Sequence, residues 1–92
     1  MMRKIPAVTA AGYGSYDGAI AGTGDVMAGN KFLEVFGAHE YSDYWDQVKK
    51  KYDCFCPADQ IAWARGMNNI IGVLNNLPEP CSRDEFLSAF GI

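Results

Sequence analysis

Three cysteines and one histidine are the residues of this chain that could hold a metal ion. They are His39, Cys54, Cys56 and Cys81. Three thiolates and one imidazole could fill a tetrahedral zinc site. Zinc sites are usually built on Cys-x2-Cys pairs, however, whereas Cys54 and Cys56 enclose one residue and Cys81 stands alone. We therefore expect no metal and no other cofactor, and we expect the cysteines to pack as small buried hydrophobes at helix junctions.

Nucleophilic catalysis would need a base close to a hydroxyl or a thiol. His39 is the only histidine, and Ser15 and the cysteines lie in other segments of the chain. A thin domain of 92 residues also leaves little room for a pocket that excludes water. Asp43 and Asp46, three residues apart, are typical of a solvated helix face rather than an acid–base pair. We expect that the protein is not an enzyme.

A glycine motif, GYGSYDG, occupies residues 12–18. Its spacing is one residue longer than the dinucleotide-binding fingerprint, and more glycines follow where that fingerprint requires a helix. No Gly-Lys-Ser/Thr sequence is present, so the phosphate-binding P-loop is absent. The motif predicts tight turns rather than a nucleotide site.

Length and charge limit the class of protein. The 92 residues are 49% hydrophobic, which predicts a single domain over residues 1–92. A net charge of −3 argues against direct binding of nucleic acid, and no apolar run approaches the ~20 residues of a membrane span. An odd number of cysteines cannot form a complete set of disulfides within one chain, so we expect reduced thiols and a cytoplasmic location.

The first part of the chain, residues 1–37, holds seven of the ten glycines. Because an interior glycine costs a helix about 1 kcal/mol relative to alanine, this density predicts short extended pieces and turns. The pattern favours a hairpin over about residues 8–23, with its turn at Asp17-Gly18. Residues 30–36 fit a short helix capped by Asn30 and ended by Gly37 better than a strand.

The second part, residues 38–92, predicts helices more firmly. Apolar side chains recur at helical spacing at five positions: Tyr41, Tyr44, Trp45, Val48 and Tyr52. A longer helix is expected from about 58 to 76, with Pro57 at its first position. Ser82 and Glu85 form a capping-box pattern that predicts a helix over 82–90, closed by Gly91 and docked on the 58–76 helix.

These elements predict a small α+β domain. A glycine-rich N-terminal hairpin or irregular layer would pack on two main helices and a short C-terminal helix. The alternative is an all-α domain with an irregular N-terminal arm.

Aromatic residues and charge supply the functional prediction. Tyrosines in a glycine-rich segment are typical of binding loops, and residues 1–48 carry six acidic but only three basic side chains. An acidic face could engage a basic groove on a partner. The predicted partner-binding residues are Tyr13, Tyr16, Asp17, Asp25, Glu40 and Asp43.

Our leading hypothesis is a small non-enzymatic binding protein that contacts a larger protein or nucleoprotein complex. Stand-alone acidic domains of this size include phage and mobile-element accessory proteins that inhibit host defence complexes, as anti-CRISPR proteins do. One alternative is a homo-oligomeric structural protein that buries its surplus aromatic residues against itself. A second is a metal- or thiol-dependent protein that uses the cysteines and His39.

Overall fold

Four α-helices form the computed structural model, which describes residues 4–10, 23–55 and 58–92. They are α1 (Thr23–Phe36), α2 (Tyr41–Lys51), α3 (Gln60–Asn75) and α4 (Arg83–Phe90). The described ranges contain no strand, so the predicted α+β class is wrong. An all-α domain, the alternative, agrees with this part of the chain. None of the four helices is long and apolar enough to cross a bilayer.

The glycines of α1 are the reason that the fold prediction failed. The helix begins seven residues before the predicted cap Asn30 and contains Gly24 and Gly29. A Cβ atom on Gly24 would collide with the Pro6 carbonyl oxygen, and one on Gly29 would lie 3.2 Å from the indole nitrogen of Trp45. Both glycines therefore lie where α1 packs most closely on its neighbours. That packing offsets the cost of about 1 kcal/mol that each glycine imposes on the helix.

Most of the predicted hairpin over residues 8–23 lies outside the described residues. At its two ends, residues 8–10 are not in a strand, and Thr23 begins α1. The helical interpretation of residues 30–36 is confirmed, because α1 ends at Phe36. Gly37 has a φ of +80° and donates its N–H to the Leu33 carbonyl at 2.8 Å, as a glycine helix terminator does.

Local signals in the second part of the chain predicted the helix ends within about two residues. The Asp59 side chain caps α3 by accepting from the Ile61 N–H at 2.9 Å, so this helix begins slightly later than predicted. Both hydrogen bonds of the capping box are present between Ser82 and Glu85 at the start of α4. Gly91 ends α4 in the left-handed conformation, with a φ of +67°.

The centre of the core is an aromatic cluster on α1. The Phe32 ring is fully buried, with its centroid 4.7 Å from Phe86, 4.9 Å from Trp45 and 5.4 Å from Phe90. Phe86 and Phe90 belong to α4, so α4 docks on α1 and not mainly on the 58–76 helix as predicted. The apolar face of α4 packs on α1 because the aromatic partners of Phe86 and Phe90 lie there. Helix α1 packs on all three other helices.

Candidate functional site

Exposed carboxylates from two helices meet at one end of the molecule. Glu40 and Asp43 lie at the start of α2, and Asp84 and Glu85 lie in the first turn of α4. We call these four residues the acidic end. The helix dipole favours acidic side chains in a first turn, so each pair has a local explanation within its own helix. The contacts of Arg83 with Glu40 and Tyr44 bring the two pairs close to each other.

Arg83 holds the two halves of the acidic end together. Its Nη1 lies 2.8 Å from Oε2 of Glu40, and its Nη2 donates to the Tyr44 hydroxyl at 3.0 Å. The Tyr44 hydrogen bond, with help from the Glu40 carboxylate, raises the pKa of Arg83 above its ordinary value. The guanidinium, which is charged in any protein at neutral pH, links the start of α4 to the start of α2.

The Arg83 contact is anchored in the core through two stacked rings. The guanidinium carbon lies 5.4 Å from the Phe36 ring centre and 5.5 Å from that of Tyr44, a cation–π arrangement. Phe36 and Tyr44 themselves stack with centroids 4.3 Å apart. An exposed ion pair alone contributes little rigidity, but this one rests on buried aromatic surface.

Asp25 does not belong to the acidic end. It is half-buried in the first turn of α1, where desolvation raises the pKa of its carboxyl and the positive charge of Lys49 partly opposes that shift. Lys49 lies nine residues beyond Glu40 along α2, about 13 Å at 1.5 Å per residue. The structure therefore brings Glu40 and Asp43 together and separates Asp25 from them.

Three of the predicted contacts, Tyr13, Tyr16 and Asp17, lie outside the described residues. Sequence reasoning missed Asp84, Glu85 and above all Arg83. A partial signal was present, because Asp84 and Glu85 lie in the first turn of the predicted 82–90 helix, where the helix dipole favours acidic residues. The sequence does not show which helices begin next to each other, because that depends on tertiary packing.

Cys54, Cys81 and His39, which the structure describes, do not form a metal site. His39 precedes α2 and Cys54 follows it, so a helix of 11 residues, about 16 Å long, stands between them. Among the described residues, no group of three or more His, Cys, Asp or Glu side chains could hold a metal ion. Cys56 lies outside those residues. Cys54 and Cys81 are both free thiols.

Burial makes Cys54 a poor nucleophile. Desolvation raises the pKa of its thiol to about 11, and the nearby carboxylates of Asp25 and Asp53 add to the effect, against a smaller opposing influence of Lys49. The thiol also donates to the Tyr52 carbonyl at 3.4 Å. The thiolate is the reactive form, so this residue behaves as a packed hydrophobe, as the sequence predicted.

We expect iodoacetamide at pH 8 to alkylate Cys54 at least ~10-fold more slowly than Cys81 in the native protein, because a raised pKa reduces the thiolate fraction. The pKa of Cys81 is also raised by desolvation, but its side chain is less buried. Peptide mapping by mass spectrometry measures each rate separately. The two rates should converge in urea, and equal rates in the native protein would contradict the assignment.

A shallow cleft of about 320 Å³ opens beside Arg83. Cys81 lines it together with the ion pair of Lys31 and Glu34, whose charged atoms are 3.4 Å apart. The Cys81 thiol donates to the Ser82 carbonyl at 3.5 Å. Charged and apolar side chains line this cleft together, and Arg83 connects it to the acidic end.

No protein-family model matches the chain, and neither a curated protein nor a solved structure gives a significant match.

Proposed function

We propose that the protein is a small non-enzymatic binding protein that acts by protein–protein contact. Its acidic end would dock on a basic groove of a larger protein or nucleoprotein complex. The observation that carries the proposal is the contact of Arg83 with Glu40 and Tyr44, which brings the exposed acidic starts of α2 and α4 close together. Because Arg83 holds the Glu40 carboxylate before binding, that side chain loses less conformational entropy on association than a mobile one would.

Charge complementarity supports this choice of partner. The four carboxylates of the acidic end outnumber the Arg83 guanidinium that pairs with Glu40, so these five residues together carry a net negative charge. Such a surface steers a basic partner and repels nucleic acid, which fits a protein that competes for a groove rather than one that binds a phosphate backbone. Binding through it would weaken as ionic strength rises.

The finer parts of the proposal come from the sequence. Tyr13, Tyr16 and Asp17 remain predicted partner contacts, and a role as a phage or mobile-element inhibitor of a host defence complex remains part of the hypothesis. A cytoplasmic location belongs with it, supported by the free thiols of Cys54 and Cys81.

The two alternatives have less support. A homo-oligomer was suggested by surplus aromatic residues, but Trp45 and Trp63 are buried in the core and Tyr44 packs on Phe36. A thiol- or metal-dependent function would need Cys54 and His39 on the same side of α2. No specific observation favours either.

Asp43→Asn with Asp84→Asn is expected to weaken partner binding about 10-fold, the effect of losing two interfacial charges at roughly 0.7 kcal/mol each. Neither carboxylate forms an ion pair of 4 Å or less with another described residue, so the fold should be preserved. The measurement is affinity capture from the native host with wild type and variant side by side. Retained proteins are identified by mass spectrometry, and the affinity of the purified partner is then measured.

The matched control is Gln60→Lys with Asn69→Lys. It changes the net charge by the same two units, but at exposed positions on α3. The control should retain the partner that the Asp43/Asp84 variant loses. Equal loss in both variants would show that only net charge matters, and equal retention would exclude the acidic end as the docking surface.

A further inference from the structure

A cleft of about 300 Å³ opens between the end of α2 and the middle of α3. Lys51 and Tyr52 line it from the end of α2, and Arg65 and Asn69 line it from α3. Residues four apart lie on the same face of a helix, so Arg65 and Asn69 reach the cleft together. A Cβ atom at Gly66 would collide with the Tyr52 carbonyl. This close approach of α3 to the end of α2 brings the two cations into one cleft.

The Lys51 ammonium is held in place by the end of α4. Its Nζ donates to the Phe90 carbonyl at 2.6 Å. Gly91 leaves room for this contact, because a Cβ atom there would lie 2.7 Å from Nζ. An ammonium carries three N–H donors, so two remain for a ligand. Lys51 therefore loses little conformational entropy when it binds an anion.

The donors of Arg65 and Asn69 are not used within the part of the chain that the structure describes. Neither side chain forms a hydrogen bond or an ion pair there, whereas Lys31, Lys49 and Arg83 each pair with a carboxylate. A guanidinium offers five N–H donors in a planar fork, and the amide of Asn69 offers two more. Donors from α2 and α3 that are available to a ligand therefore line the same cleft.

The charges of the cleft favour an anion. Lys51 and Arg65 contribute two positive charges, and Asp53 contributes one negative charge. The lining described by the structure is therefore net positive, although the whole chain carries a charge of −3. The Asp53 carboxylate repels an anion, so its neutralisation should strengthen binding.

We propose that this cleft binds the oxyanion group of a small molecule, a phosphate or a carboxylate. The guanidinium fork of Arg65 matches two oxygens of such a group, and the Lys51 ammonium and the Asn69 amide donate to the same group. A volume of about 300 Å³ is at the lower limit for ligand pockets, which favours a small ligand. The site is independent of the acidic end, because the length of α2, about 16 Å, separates the two.

An NMR titration of the isotope-labelled full chain tests the site. Inorganic phosphate and acetate are added separately at constant ionic strength, so that general screening does not change. We expect the side-chain N–H signals of Arg65 and Asn69 to shift and to saturate in the millimolar range of at least one anion. Arg65→Gln should weaken that binding at least ~10-fold, the effect of losing a hydrogen bond between charged groups. Its melting temperature should equal that of wild type, because Arg65 is exposed.

The matched control is Lys4→Gln, which removes the same charge at an exposed position outside the cleft. Its affinity for the anion should change less than about twofold, because a distant exposed charge is screened. Asp53→Asn should bind the anion more tightly than wild type. Asn69→Lys, one half of the control for the acidic end, adds a third cation to the cleft and should also bind more tightly.

The outcomes separate a built site from general attraction. Saturable shifts at the cleft that Arg65→Gln removes and Lys4→Gln retains support the proposal, and the anion that produces them identifies a phosphate or a carboxylate site. Shifts that grow without saturation at all exposed lysines mean an adventitious ion only and overturn it. Equal weakening in Arg65→Gln and Lys4→Gln, or no response to either anion, also overturns it.

Discussion

Phe32→Ala is expected to lower the free energy of unfolding by about 3–5 kcal/mol, the usual cost of removing a fully buried phenylalanine. Phe32 is 0% exposed, and rings from three helices surround it: Phe36 of its own α1, Trp45 of α2, and Phe86 and Phe90 of α4. Its removal leaves a cavity that these rigid rings cannot fill. A domain of this length has a total stability of about 5–14 kcal/mol, so the variant loses a large fraction of it.

Thermal and urea denaturation followed by circular dichroism measure the effect. The melting temperature should fall by roughly 12–40 °C, at about 4–8 °C per kcal/mol for a domain of this size. The matched control is Leu33→Ala, the next residue on α1, which is 38% exposed. Its cost should stay near or below about 1 kcal/mol. Similar losses in the two variants would contradict the position of Phe32 at the centre of the core.

Replacement by alanine should change the free energy of unfolding in opposite directions at two glycines of α3. A Cβ atom at Gly66 would collide with the Tyr52 carbonyl and lie 2.9 Å from the sulfur of Cys54, whereas one at Gly72 would meet nothing within 4 Å. We expect Gly66→Ala to destabilise the protein by at least about 2 kcal/mol, because a backbone carbonyl cannot move aside as a side chain can. Gly72→Ala should stabilise it by about 0.5–1 kcal/mol through helix propensity.

The comparison is internally controlled, since both variants gain one methyl group on one helix. Denaturation curves for the two proteins give the difference directly, and the m-value shows whether either native state has loosened. The prediction fails if Gly66→Ala is neutral or stabilising, because α3 would then not pack on the turn that follows α2.

Two explanations of the acidic end, the helix dipole and a docking surface, can be separated by measuring the stability of the variant together with its binding. The helix dipole alone accounts for acidic residues in the first turns of α2 and α4, and each contributes less than about 1 kcal/mol. A small loss of stability in the Asp43/Asp84 variant is therefore compatible with either view. Loss of a specific partner at unchanged melting temperature is the result that only a docking surface explains.

The sequence by itself determined the parts of the fold that depend on neighbours along the chain. The stripe from Tyr41 to Tyr52 predicted α2, and Ser82, Glu85 and Gly91 predicted both ends of α4. These signals are reliable because helix caps and amphipathic spacing act within one or two turns. The sequence also identified Glu40 and Asp43 as exposed acidic residues, and the structure places both at the acidic end.

Only the tertiary structure decided what the glycines and asparagines do. Gly24 and Gly29 weaken a helix in isolation, yet each permits a close contact with Pro6 or Trp45 that exists only after folding. Asn68 and Asn75 carry no local signal in the sequence, yet in the fold their side chains bind the backbone of Val8 and Ile5. The meaning of such residues depends on groups up to 70 positions away, and no local rule carries that information.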